Sequence, residues 1–172
     1  MHWKKQNEKL VYDGYRKILR RTYKLPDDRL DDYDVNKECQ VVCILAMTEN
    51  QEIIFAKQFR PGPEKVLLEL PGGAIEENET PVQAAERELK EETGYCGELK
   101  LVGTTVGGGY STMIRFNFVA TNCKCVQSPS PDKNEFIQIE KMNIEDFRKH
   151  LQRGQLTDVA TGYLGLDYLD LL

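Results

Sequence analysis

Four carboxylates fall within seven residues of this chain, at Glu86, Glu88, Glu91 and Glu92, and what such crowding can do depends on where the side chains point. On an α-helix, residues three and four apart share a face, so Glu88, Glu91 and Glu92 point one way. Glu86, about 160° round from Glu88 at 3.6 residues per turn, belongs to another face. Three converging carboxylates repel one another, raise each other's pKa and destabilise the helix unless basic side chains pair with them, protons are taken up or a hard cation binds. Arg87 and Lys90 stand close in sequence, and a surface lattice of ion pairs built on them is one reading. The loop ahead favours the cation: Pro71-Gly72-Gly73 makes a bend at which backbone can approach another group closely, because glycine has no side chain. Carboxylates with a loop carbonyl and waters are the oxygen ligands that Mg²⁺ or Mn²⁺ takes, and substrate phosphates commonly complete a Mg²⁺ shell. A metal platform for a phosphate-bearing substrate is therefore the expectation for this stretch.

Such a platform needs a helix with defined ends. Thr80 followed by Pro81 is a capping residue followed by the residue best tolerated at the first helical position. Gly94 suits a left-handed C-terminal cap, so a helix is predicted from Pro81 to about Thr93. Ala84, Ala85 and Leu89 give it an apolar stripe that can lie close on a sheet. "CQVVCILAM", from Cys39, is nearly continuous in apolar residues, as a central strand is. "EIIFAKQF" and "VLLEL" read as strands before the glycines, and "ELKLVGTTV", "MIRFNFVA" and "EFIQIEKM" as strands after the helix. "NIEDFRKHLQRG" and "TDVATGYLGLDYLDLL" read as helices capped by Asn143 and Thr157. Residues 1–38 differ in being highly charged and broken by turns at Asp13-Gly14 and Pro26-Asp27-Asp28. They read as hairpin strands that bury little alone and pack on the main domain, residues 39–172, or on a second subunit. "QSPSPDKN", residues 127–134, reads as an exposed loop.

Composition bounds the class. With 172 residues, 40% of them hydrophobic, the chain has enough apolar material for one ordinary core. A net charge of -5 argues against a nucleic-acid partner held by phosphate neutralisation. No apolar run approaches the roughly eighteen residues of a membrane span, and the N-terminus lacks the apolar centre of a secretory signal. Five cysteines without a C-x-x-C pair, and only two histidines, read as reduced thiols in a cytoplasmic protein, with Cys123 and Cys125 at the end of a strand.

The stretch from Gly73 to Tyr95 resembles the Nudix box, G-x(5)-E-x(7)-R-E-U-x-E-E-x-G-U with U an apolar residue. The matching positions are Gly73, Glu79, Arg87, Glu88, Leu89, Glu91, Glu92, Gly94 and Tyr95, with tyrosine standing where an aliphatic residue is more usual. The resemblance implies an α/β Nudix fold, an α/β/α sandwich around a mixed β-sheet, here preceded by N-terminal antiparallel hairpin strands. It implies hydrolysis of a nucleoside diphosphate linked to another moiety. It implies that Glu88, Glu91 and Glu92 bind divalent cations with help from the Gly72 carbonyl, and that Arg87 pairs with Glu79 to hold the loop on the helix. The cations would neutralise the diphosphate oxygens while a carboxylate takes a proton from the attacking water.

Features outside the box resemble the ADP-ribose pyrophosphatase branch of that family: "ILRRTYKLPDDRLDDYDV", "IIFAKQFRP" and "LLELPGGAIE". This implies a homodimer formed through the N-terminal strands. It also implies a general base on a loop downstream of the box, where Glu135 stands; the alternatives are a solvated strand-start residue there, with Glu92 or Glu91 as base. Arg60 matches a substrate-contacting arginine, and a guanidinium suits a diphosphate, although a strand-end pairing with Glu64 or Glu69 is equally open. The chain departs from the branch at "GGGYSTMIRF", which has neither the proline nor the acid of the usual Ser-Pro-Gly-like stretch. That puts ADP-ribose itself in question and leaves Tyr110 and Ser111 as binding residues for a base or sugar, or Tyr110 as a rim aromatic. The competing functions are a nucleoside triphosphate or capped-RNA pyrophosphohydrolase and a Nudix domain kept only as a ligand sensor.

Overall fold

The computed structural model describes residues 2–130, 133–134 and 136–172. Its residues group into two compact units, one of residues 1–40 and 106–115, the other of residues 41–105 and 116–172.

The first unit is a three-stranded antiparallel sheet, β1 (Lys4–Asp13), β2 (Lys17–Lys24) and β3 (Leu30–Lys37), in that spatial order. The two expected hairpins share β2. Asp13 pairs with Lys17, so the first turn is a three-residue connection rather than the two-residue turn that Asp13-Gly14 suggests. The second turn places Asp28 at φ 69, a left-handed position that aspartate tolerates because its short side chain bonds locally. Register shifts at Lys5/Asn7 and Leu10/Tyr12 put bulges into β1, which twist an edge strand away from regular pairing.

The second unit carries a six-stranded sheet with β4 (Val41–Thr48) at its centre. Its path is β6 (Lys65–Glu69), β5 (Glu52–Arg60), β4, β8 (Ile114–Cys125), β7 (Tyr95–Val106), and β9 (Gln138–Asn143) also pairs with β5. Two-residue alternation along β4 builds the layers. Val42, Ile44 and Ala46 join Ala84, Ala85 and Leu89 of α1 (Pro81–Thr93) in one core cluster. Cys43 and Leu45 join Phe147 and Leu151 of α2 (Ile144–Arg153) and Leu166 of α3 (Val159–Tyr168) in the other. The near-continuous apolar run is thus explained by burial on both faces, and the result is the α/β/α sandwich.

Helix ends follow the expected chemistry, with one correction. Thr80 accepts from the Gln83 amide and Gln83 from the Thr80 amide, a reciprocal capping box, and Gly94 closes α1 at φ 76. Asn143 caps α2 through the Asp146 amide at 2.9 Å. Thr157 does not cap α3: Asp158 stands at that position without a side-chain cap, and the Thr157 hydroxyl turns to Glu69 at 2.5 Å instead. A capping hydroxyl would accept from a backbone amide; here the hydroxyl donates instead to a carboxylate, a charge-assisted bond. Among the described residues, no helix is long and apolar enough to cross a membrane.

Candidate active site

The apolar stripe of α1 fixes how its acids are presented. With Ala84, Ala85 and Leu89 buried against β4, β5 and β8, Glu86 is left exposed on the outer side while Glu92 is only 4% exposed. The loop in front is stitched to the sheet: Val42 N donates to Gly73 O and Ile44 N to Pro71 O, each at 2.9 Å, which leaves the Gly72 carbonyl outside that pairing. The Gly72 amide donates to Glu92 Oε2 at 2.9 Å. Both glycines are there for space. A Cβ on Gly72 would stand 2.3 Å from Val42 O, and one on Gly73 would stand 2.3 Å from Glu88 Oε1, so any side chain would force the loop off the sheet or the carboxylate off the loop.

Arg87 is the hub of the cluster. Its Nε and Nη2 grip Glu79 at 2.9 and 3.0 Å, its Nη2 also reaches the Ala74 carbonyl at 2.9 Å, and its Nη1 reaches Glu88 at 2.9 Å and Glu91 at 3.2 Å. Glu79 Oε2 accepts in addition from the Glu76 amide at 3.0 Å. The guanidinium beside Glu79 holds that carboxyl below the ordinary 4.5, against the opposing pull of burial. In return, the bond from Glu79, with those from Glu88 and Glu91, pushes the Arg87 pKa upward. The repulsion expected among the glutamates is therefore relieved first by an arginine that ties loop and helix together.

Among the described residues, no three His, Cys, Asp or Glu side chains are gathered as a preformed metal cage. The donor set nonetheless fits a hard divalent cation. Glu88 lies against Gly73 and Glu92 accepts from the Gly72 amide, carboxylate oxygens beside a glycine loop whose cradle a Cβ would fill.

The other expected site residues divide between the two units. Arg60, at the end of β5, donates through Nε to Glu69, a carboxylate with no solvent exposure that also accepts from Thr157. In the first unit, Tyr110 stacks on Tyr33 with ring centroids 6.5 Å apart, and Ser111 Oγ donates to Glu38 at 2.5 Å. Tyr110 and Ser111 line a cleft of about 370 Å³ with Trp3, Arg21, Tyr23 and Tyr33. Glu135 lies outside the described residues.

Four residues escaped the sequence reading. Glu38, the residue that follows β3, supplies a carboxylate to Ser111. Trp3 and Tyr23 join Tyr33 in an edge-on aromatic cluster with centroids 5.9 to 6.2 Å apart. A signal existed only for Tyr23 and Tyr33, which flank the turn at Pro26-Asp27-Asp28 on paired strands.

Known proteins resemble this chain in sequence and in fold. The ADP-ribose pyrophosphatase of Bacillus subtilis (strain 168) is 31% identical over 150 residues, covering 86% of this chain and 80% of that protein. The methanol dehydrogenase activator of Bacillus methanolicus is 27% identical over the same share of each chain. A crystal structure described as an ADP compounds hydrolase matches with a TM-score of 0.84 at 18% identity, covering 99% of this chain and 95% of the other, and shares the fold. The NUDIX domain model matches residues 37–159, nearly three quarters of the length, and the chain belongs to the Nudix family, whose hydrolases generally use divalent metals.

Proposed function

We propose that this protein is a Mg²⁺-dependent hydrolase of nucleoside diphosphate sugars, ADP-ribose among them, releasing a nucleoside monophosphate and a sugar phosphate. One observation carries the reading: a helix whose Glu88 and Glu92 meet a glycine loop, in a chain 31% identical to an ADP-ribose pyrophosphatase over most of both lengths.

Glu88, Glu91, Glu92 and the Gly72 carbonyl are the ligands for Mg²⁺, with Mn²⁺ as its substitute. The bound cation supplies charge neutralisation for the diphosphate oxygens and acidifies a water. The residues of the chain do the rest. Arg87 and Glu79 hold the loop on α1, so that the Gly72 peptide and the Glu92 carboxylate keep their 2.9 Å contact. Arg60 grips the diphosphate, and Tyr110 and Ser111 contact base or sugar. The water oxygen forms a new bond to one phosphorus as the bond from that phosphorus to the bridging oxygen breaks. The water proton passes to a carboxylate, Glu135 or else Glu92 or Glu91, and the leaving phosphate carries away the bridging oxygen.

The exposed β1 strand and its apolar Leu10, Val11 and Tyr12 support a homodimer built through the N-terminal strands; the protein is read as cytoplasmic, with no nucleic-acid or membrane partner. A mass-spectrometric product screen in Mg²⁺ over ADP-ribose, other nucleotide sugars, dinucleotides and nucleoside triphosphates tests the proposal. Nucleoside monophosphate plus sugar phosphate is the expected product pair. Turnover of triphosphates alone, or binding without turnover, sinks it.

A further inference from the structure

Glu69 is a charged side chain with no solvent exposure, and a buried carboxylate is tolerated only where hydrogen bonds and an opposite charge replace its water. Both replacements are in place. Arg60 Nε donates to Glu69 Oε2, and the Thr157 hydroxyl donates to Oε1 at 2.5 Å. That hydroxyl also lies 3.1 Å from Asp158 Oδ2, but it has a single proton, and the closer Glu69 oxygen takes it. The two oxygens of Glu69 are thus divided between an arginine at the end of β5 and a threonine just ahead of α3.

The division matters for what Arg60 can do. Its side chain keeps 39% of its surface exposed, and among the described residues its two Nη groups have no partner in the chain. A guanidinium held at Nε alone presents its four remaining N–H bonds as a fork, the arrangement that accepts adjacent phosphate oxygens in parallel. An arginine without the anchor would sample many rotamers and lose that orientation on average.

We propose that Glu69 and Thr157 are positioning residues that aim Arg60 at the diphosphate of the substrate. The inference rests on the reading of Arg60 as a diphosphate ligand. It turns the Arg60–Glu69 pair from a competitor of substrate binding into its precondition: Glu69 takes the inner edge of the guanidinium, and the ligand takes the outer one. Thr157 keeps the carboxylate from rotating to a bidentate grip that would consume an Nη as well.

The test is the affinity for ADP-ribose by titration calorimetry without metal, together with kcat and KM in Mg²⁺, for wild type, Arg60→Ala, Glu69→Gln, Thr157→Val, Thr157→Ser and the Arg60→Ala/Thr157→Val pair. Arg60→Ala is expected to weaken binding about tenfold or more, the size of a lost charge-assisted bond. Glu69→Gln, which puts an amide N–H₂ donor where one of the two acceptors stands, and Thr157→Val are each expected to raise Kd and KM several-fold with kcat little changed. Thr157→Ser restores wild-type binding, and Thr157→Val adds nothing once Arg60 is gone. Thr157 is exposed, so its variants fold even where Glu69→Gln does not. If Arg60→Ala binds as wild type, or wild type takes up no ADP-ribose, the ligand reading fails and this inference with it. If Arg60→Ala weakens binding while Thr157→Val does not, or Thr157→Val weakens it equally without Arg60, the positioning role is overturned and the ligand reading stands.

Discussion

The two units of this chain are held together by different forces. In the second unit, Ile44, Leu45, Ile53, Ile54, Phe55, Phe147 and Leu166 are all fully buried, and burial of this kind stabilises by roughly 1.5–3 kcal/mol per large side chain. In the first unit, Leu19 and Val35 are the buried hydrophobics among the described residues, and all ten residues of β1 are exposed. Its strands are matched instead by cross-strand polar pairs: Arg20 with Asp34 at 2.8 and 2.9 Å, Arg21 with Glu8 at 2.6 Å, and Thr22 with Asp32 at 2.6 Å. Exposed pairs of that sort set register more than they add stability. The contrast teaches where each property lives: burial makes the second unit the rigid one, and the N-terminal sheet presents an exposed edge strand and an aromatic cleft.

The sharpest way to probe the contrast is to change one group in each unit and read activity. Glu92→Gln is expected to lower kcat by roughly 10²–10⁴-fold with the fold intact, because the amide keeps the shape and the acceptor for the Gly72 N–H but loses the charge. Leu10→Ala, on the exposed strand, is expected to leave kcat of the folded protein near wild type. Wild-type rates in Glu92→Gln, measured beside an unchanged circular dichroism spectrum, would remove the metal platform from the account.

Stability separates the units next. Leu89→Ala opens a cavity between α1 and the sheet and is expected to cost about 2–5 kcal/mol in urea unfolding. Leu10→Ala, at 43% exposure, is expected to stay within about 0.5 kcal/mol for the monomer. If the N-terminal strands form the dimer, Leu10→Ala also shifts the concentration dependence of melting, because subunit association contributes to apparent stability by mass action. A large loss for Leu10→Ala at every concentration would mean that the N-terminal sheet has a core that its surface areas do not show.

Legibility in the sequence follows the same divide. The α1 helix was readable to the residue, because Thr80, Pro81 and Gly94 act locally and each imposes a backbone conformation by itself. So was the central position of β4, since only burial on both faces tolerates "VVCILAM". The partners of the charged groups were legible only in part. Spacing alone put Arg87 beside four acids, and it was the resemblance that pointed to Glu79, eight residues away, where the bond is found once the loop folds back. Thr157 read as a helix cap because local rules favour it there, and the carboxylate that takes its hydroxyl lies 88 residues away. The aromatic cleft was invisible for a similar reason. Trp3, Tyr23, Tyr33 and Tyr110 meet only once strand register and the Asn36–Tyr110 backbone bond of 2.9 Å are set.

A pH titration compares like with like, since each unit has a carboxylate depressed by an arginine. Glu79 is lowered first by its bond to Arg87, and Asp34 first by its bond to Arg20. A folded-state pKa below the unfolded one means that the unfolded chain binds more protons, so stability rises with pH across that interval. The contribution of Glu79 is complete above its ordinary 4.5 and disappears as pH falls through the lowered folded value. The difference in urea midpoint between wild type and Glu79→Gln is therefore expected to hold from about pH 6 to pH 5 and to shrink toward about pH 3. A difference independent of pH would assign the role of Glu79 to shape rather than charge.

The smallest effect expected is the most diagnostic of the N-terminal sheet. Arg20 and Asp34 form a bidentate pair, yet their side chains are 39% and 51% exposed, so solvent screens most of the attraction. Arg20→Ala is expected to lower the melting temperature far less than Leu89→Ala. The loss is expected to vanish in about 1 M salt, where the screening length falls to roughly 3 Å. Asp34→Asn gives the companion measurement, and the double variant is expected to lose no more than the larger of the two singles, as partners in one pair do. A loss that persists in high salt would show that the aliphatic stem of Arg20 packs against its neighbours, and the first unit would then rest on burial as the second one does.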